Sequence, residues 1–154
     1  MTERELATSF DDAEESPGLL LWQITNRWQA AQRAALKPHS LTHVQFVLLA
    51  ALTWLGGDGP LTQKQLADYA ATDPMMTSQV LRTLEAGGLV ERLPHPTDKR
   101  ARALQVTSAG RDLANRTIGV VEECDRRFFE PLGALTAPFI RSLQRLKAGG
   151  DEAS

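Results

Sequence analysis

The sequence predicts a mainly α-helical fold carrying one small β-hairpin, on three observations. Apolar residues recur at three- and four-residue spacing along most of the chain, and helix-capping residues stand at the starts of these patterns. One turn-rich basic stretch separates two short runs containing Val or Leu.

From Leu19 to Leu36 the residues Leu20, Ile24, Trp28, Ala31 and Ala35 form the stripe of an amphipathic helix, which Pro38 stops. Thr42 with Gln45 three residues on reads as a capping box. The run that follows (Val44, Phe46 to Leu52 and Leu55) is apolar nearly all round, as in a buried helix ending at Gly56-Gly57. Thr62 and Gln65 repeat the box after Pro60 and open a short helix carrying Leu66, Ala67 and Ala70. Asp73 as N-cap and Pro74 at the first helical position begin the next helix, which closes at Gly87-Gly88.

Leu89–Leu93 and Ala103–Val106 then read as the strands of a hairpin, joined through Pro94, His95, Pro96, Thr97 and Asp98. Thr107 caps a long helix with Leu113, Val120, Val121, Cys124 and Phe128 on its apolar face, reaching Glu130 before Pro131. A last amphipathic stretch from Thr136 carries Phe139, Ile140, Leu143 and Leu146.

Composition narrows the classes. The chain has 154 residues, 42% hydrophobic and 23% charged, enough for one domain with a sizeable core and unlike disordered or collagenous sequence. Cys124 is the only cysteine, so an internal disulfide and a cysteine-rich zinc cage are both excluded. The longest apolar stretch, Val44 to Leu55, is too short for a bilayer, and the acidic N-terminus is unlike a signal peptide; a cytoplasmic protein without a membrane partner is expected. The net charge of −2 conceals an asymmetry. Residues 1–16 carry Glu3, Glu5, Asp11, Asp12, Glu14 and Glu15 against Arg4, and the tail adds Asp151 and Glu152, which leaves residues 17–150 net positive and compatible with a nucleic-acid partner.

The predicted order is helix, helix, helix-turn-helix, hairpin, helix, helix. A helix-turn-helix followed by a two-stranded hairpin is a winged helix-turn-helix, whose second short helix enters the major groove of double-stranded DNA. The outer helices offer apolar faces too long for so small a core. Packing against a second copy, as a homodimer, buries them; folding over their own domain is the rival. The expected division is an acidic flexible N-terminus (1–18), an N-terminal dimerisation helix (19–40) and the winged helix-turn-helix (41–107). C-terminal dimerisation helices (108–148) and a flexible tail (149–154) complete it.

Five segments in this order resemble the multiple antibiotic resistance regulator (MarR) family: Leu41–Leu48, Leu61–Ala67, Leu84–Arg92, Asp98–Ala101 and Leu104–Gly110. The resemblance covers about residues 19–147. It implies a homodimeric winged-helix transcription factor on a pseudo-palindromic operator, usually a repressor released by a small ligand or by oxidation.

On the fourth helix Thr77, Val80, Leu81 and Leu84 share the spacing of a buried stripe, so Met75, Met76, Ser78, Gln79 and Arg82 form the face offered to DNA. Gln79 suits adenine, Arg82 guanine or a phosphate, and Ser78 either. Met75 and Met76 depart from the smaller polar residues common in such regulators; they meet thymine methyl groups or serve as hydrophobic filler. In the wing, Arg92, Lys99, Arg100 and Arg102 stand against Asp98, with His95 nearby, an electrostatic footprint for phosphate. By resemblance Arg100 enters the minor groove, and Asp98 is expected to orient a guanidinium.

No nucleophile motif, phosphate loop or metal-ligand cluster occurs, so no catalytic role, cofactor or metal is expected. His39 and His43 are four apart, but Pro38 and the Thr42 cap put them on different elements. Cys124 falls on an apolar stripe, where a cysteine is usually filler rather than a redox switch. For a small-molecule effector, the resemblance implies a pocket between the dimerisation and DNA-binding parts and an aromatic acid or phenol as its occupant. Trp22, Trp28, His39, His43, Phe46 and Trp54 are the candidate lining residues, most of them expected in the core. The alternative function is a winged-helix protein-interaction module without ligand response.

Overall fold

The computed structural model describes residues 5–151. Of the acidic ends, Glu3, Arg4 and Glu152 lie outside the described residues. The elements are α1 (Pro17–Leu36), α2 (His43–Leu55), α3 (Gln63–Ala70), α4 (Pro74–Ala86), β1 (Val90–Pro94), β2 (Arg102–Val106), α5 (Ser108–Phe129) and α6 (Thr136–Asp151). The architecture is mainly α, with a two-stranded antiparallel wing following a helix-turn-helix.

The helix starts follow from their caps. Thr42 and Thr62 each accept from the backbone of Gln45 and Gln65 at 3.2 Å, and each glutamine side chain returns to the threonine N–H. Asp73 accepts from Met75 and Met76, and Thr107 from Gly110. Helix α1 begins two residues before its apolar pattern does, because Ser16 accepts from the Leu19 N–H and Pro17 fits the first helical position. The acidic segment before it is ordered as a 3-10 turn, Ala13–Glu15, capped by Asp12. At the other end α6 continues through Gly149 and Gly150 to Asp151, where a loose tail is expected.

Strand β1 is shifted one residue later than the expected run, and β2 begins one residue earlier than expected but ends as expected at Val106. Leu89 still belongs to the exit of α4: its N–H reaches the Leu84 carbonyl at 2.9 Å and its carbonyl accepts from Thr107, so β1 pairs only from Val90, opposite Val106. A main-chain bond from Leu104 N–H to the Leu61 carbonyl, 2.7 Å, joins β2 to the residue preceding the α3 cap.

The core lies within the winged helix, where Leu48, Leu49 and Leu52 of α2 meet Leu66, Leu81, Leu84, Val90, Leu104 and Val106. Each leucine so enclosed contributes about 1.5–3 kcal/mol relative to exposure. A smaller cluster of Leu36, Leu41, Phe46 and Val121 joins α1 and α2 to α5. Large apolar side chains remain uncovered on the outer helices, including Leu21 and Ile24 on α1 and Ile140, Leu143 and Leu146 on α6. Trp54 departs from the expected burial of α2, being 79% exposed, and Trp22 is 69% exposed; both fall on the open side of their helices.

Candidate nucleic-acid interface

The turn between α3 and α4 is set by backbone geometry and two threonines. Ala71 takes the left-handed conformation (φ 54°) and ends α3. Thr77, fully buried, donates to the Asp73 carbonyl at 2.8 Å and lies 2.7 Å from the Thr72 hydroxyl, which pins the start of α4 to the turn. With Thr77, Leu81 and Leu84 in the core and Val80 half-buried, the opposite face of α4 is open. Met75 is 75% and Met76 46% exposed; Gln79 and Arg82 are also exposed, and Ser78 is half-buried. Arg82 donates to the Ser78 hydroxyl at 3.3 Å, which holds its guanidinium along the helix. Pro74, Met75, Ser78, Gln79 and Arg82 line a shallow groove on this face.

At the wing tip His95 Nδ1 accepts from the Asp98 N–H (3.0 Å) and the Thr97 N–H (3.3 Å). Asp98 accepts from the backbone N–H of Arg100 at 2.9 Å. The tight turn thus brings the Arg100 N–H to the carboxylate, and among the described residues Asp98 forms no ion pair with a guanidinium. Lys99, Arg100 and Arg102 are exposed and, among the described residues, form no ion pair. Arg92 differs from them: its Nε donates to Glu85 (3.2 Å) and its Nη1 to Gln63 (3.3 Å), with 26% of its side chain exposed.

Two cavities adjoin the helix-turn-helix. One, of 580 Å³, is lined by Trp28 and Arg33 of α1, His43 and Val47 of α2, Thr72 of the turn and Met76 of α4. The Trp28 and His43 rings meet edge to face at 4.9 Å, and burial holds the His43 imidazole below its ordinary value. The other, of 690 Å³, includes Phe46, Trp54, Tyr69, Ile118 and Lys147. The expected pocket residues are therefore divided: Trp28 and His43 share one cavity, Phe46 and Trp54 the other, and His39 and Trp22 line neither. Arg33 is not among the expected pocket residues, and Met76, expected only on the DNA-facing side of α4, also reaches this cavity.

Cys124 faces a groove between α1 and α5 with Ala31, Ala35 and Gly119. Burial, with Asp125 adding to it, pushes its thiol up, the opposite of what an oxidation-sensing thiolate needs. Among the described residues no group of three or more His, Cys, Asp or Glu side chains is placed to hold a metal ion, and no single helix is long and apolar enough to cross a membrane.

The MarR family model matches residues 41–101. YdcH of Bacillus subtilis, described as an uncharacterized HTH-type transcriptional regulator, is 42% identical over 126 residues, covering 81% of this chain and 86% of its own length. This chain belongs to the MarR family. The HTH-type transcriptional repressor Rv2887 of Mycobacterium tuberculosis is 35% identical over 142 residues, 90% of this chain and 98% of that protein. Among solved structures, Bordetella bronchiseptica BpsR, described for the regulation of its DNA binding by 6-hydroxynicotinic acid, superposes with a TM-score of 0.80 at 24% identity. The match covers 88% of this chain and 96% of BpsR, and at that identity the likeness establishes the fold. This MarR-family chain is thus a winged-helix, DNA-binding transcriptional regulator.

Proposed function

We propose that the chain is a homodimeric repressor that binds a pseudo-palindromic operator through α4 and the wing and is released by a small aromatic acid. The observation that carries this reading is the division of α4. Thr77, Leu81 and Leu84 are locked in the core while Met75, Met76, Gln79 and Arg82 stand open, with Lys99, Arg100 and Arg102 unpaired on the wing. In this reading Gln79 and Arg82 meet base edges, Ser78 supports Arg82, and Met75 packs on thymine methyl groups. Arg100 enters the minor groove, flanked on the phosphates by Lys99 and Arg102, and Asp98 shapes the loop that carries it. The chain acts in the cytoplasm on DNA and carries out no catalysis.

Residues 19–40 and 108–148 form the dimerisation region around the winged helix of 41–107. Their uncovered Leu21, Ile24, Ile140, Leu143 and Leu146 support a second copy as the cover. The effector occupies the cavity of Trp28, Arg33 and His43, where the Trp28 ring gives a stacking surface and Arg33 a cation for a carboxylate. Since Met76 shares that cavity and the DNA-facing end of α4, an occupant favours one setting of the recognition helix. Two half-sites about one helical turn apart no longer fit when that setting changes.

The test is binding to the promoter DNA upstream of the chain's own gene, across salt concentrations, beside a randomised duplex. Tight, salt-sensitive binding to the promoter, lost in Arg100→Ala and weakened by 6-hydroxynicotinic acid as the first aromatic acid tried, supports the reading. Equal binding to both duplexes, followed by failure to select any sequence from random DNA, overturns it in favour of a protein-interaction module.

A further inference from the structure

We propose that Arg92 is a positioning residue for DNA recognition, a clamp that fixes the wing relative to both helices of the helix-turn-helix and does not itself contact DNA. Three elements meet at this one guanidinium. Arg92 projects from β1, Glu85 lies in the last turn of α4, and Gln63 is the first residue of α3. Its register explains the reach. Arg92 is the cross-strand partner of Leu104, whose N–H bonds the Leu61 carbonyl two residues before Gln63.

Glu85 gains nothing from its own helix, since a carboxylate near a helix C-terminus faces the negative end of the macrodipole. The guanidinium offsets that charge, and its planar fork directs Nε to Glu85 and Nη1 to Gln63 at once, which a lysine ammonium does not reproduce. Arg92 is also the most enclosed of the four wing cations, the other three being exposed. The consequence lies at the wing tip. Residues 95–101 are carried beyond the paired strands, so a small tilt at Arg92 becomes a larger displacement of Arg100 and misaligns the wing with the groove that α4 selects.

The electrostatics give the test its sign. Removing a negative charge from a DNA-binding surface strengthens DNA binding by simple attraction; a fall in affinity on losing Glu85 therefore reports lost positioning. The experiment uses the full chain, a duplex it enriches from random-sequence DNA, and a scrambled duplex of the same composition, with affinities measured across salt. Arg92→Gln and Glu85→Gln are each expected to weaken binding to the selected duplex about tenfold, with the scrambled duplex changing by less than about twofold and the salt slope preserved. The charge-reversed pair Arg92→Glu with Glu85→Arg is expected to regain most of the loss of either single reversal, and Arg92→Lys to fall between wild type and Arg92→Gln.

Thermal unfolding of each variant separates misfolding from misplacement. Should Arg92→Gln fail to fold, the partly exposed Glu85→Gln decides alone. The proposal is overturned if Arg92→Gln weakens both duplexes alike and makes the salt slope shallower by about 0.9, the mark of a lost phosphate contact. It is equally overturned if Glu85→Gln binds as well as or better than wild type, or if Arg92→Lys is fully equivalent to Arg92.

Discussion

The Trp28 indole donates to the Asp125 carboxylate at 2.7 Å, joining α1 to α5 across 97 positions of the chain. The same oxygen accepts from Gln32 Nε2 at 2.7 Å, and Gln32 is wholly buried. One carboxylate thus satisfies two donors between the first and fifth helices, and the same Trp28 lines a cavity with His43.

Asp125→Ala leaves both donors without their acceptor, one of them on a buried side chain. The expected cost is about 1–3 kcal/mol, read by urea unfolding at fixed chain concentration. Asp125→Asn keeps a carbonyl oxygen and is expected to cost less. Equal losses for the two variants would mean that charge, not acceptance, is what the site requires.

Gly110 sits where α5 leaves the wing, and a Cβ there would fall on the Leu89 carbonyl and within 2.8 Å of Val106 Cγ2. The Leu89 carbonyl already accepts from the Thr107 N–H, so it has little freedom to retreat. Gly110→Ala is expected to destabilise by about 3 kcal/mol or more. Gly88 has open space around it but a φ of +72°, so Gly88→Ala costs only the left-handed penalty of about 1–2 kcal/mol. Thermal melts of the two variants check the order, which reverses if the junction yields easily.

The helix starts are legible in the sequence because each is specified within four residues: Thr42 with Gln45, Thr62 with Gln65, Asp73 with Pro74. The open face of α4 is legible too, because Thr77, Leu81 and Leu84 repeat at helical spacing. What escapes is the long-range polar pairing. Nothing near Trp28 announces Asp125, and Arg92 reads as one more wing cation until the fold brings Glu85 and Gln63 to it. Trp22 and Trp54 mislead for a related reason, since composition counts them as core whereas only packing tells which side of a helix is covered.

His43 gives stability a pH dependence. Burial lowers its affinity for a proton, Arg33 adding to this and Asp125 opposing it, so the folded chain favours neutral imidazole. As pH falls through the unfolded value of 6.5, the unfolded chain takes up the proton first and stability declines until the folded group also titrates. Melting temperature is expected to fall between pH 7.5 and 5.5, and His43→Gln to flatten that part of the curve. Glu123, held at about 2 foremost by its hydrogen bond to Arg126, stays ionised throughout and does not contribute. An unchanged slope in His43→Gln would assign the dependence to another group.

Asp98 and Arg100 meet at the tip of the wing. The contact is carboxylate to backbone N–H, 2.9 Å, so what Asp98 supplies is an acceptor for a turn rather than a counter-charge for a side chain. An asparagine offers a comparable oxygen and an alanine none. Asp98→Asn is therefore expected to bind operator DNA about as well as wild type or slightly better, having shed a negative charge. Asp98→Ala is expected to lose about 0.5–1.5 kcal/mol of affinity as the loop carrying Arg100 loosens. A guanidinium grip would predict the reverse for asparagine, because an amide carries no charge to hold an arginine. Fluorescence anisotropy on one duplex at two salt concentrations separates the cases: a loosened loop weakens binding at both, whereas a shed charge strengthens it chiefly at low salt.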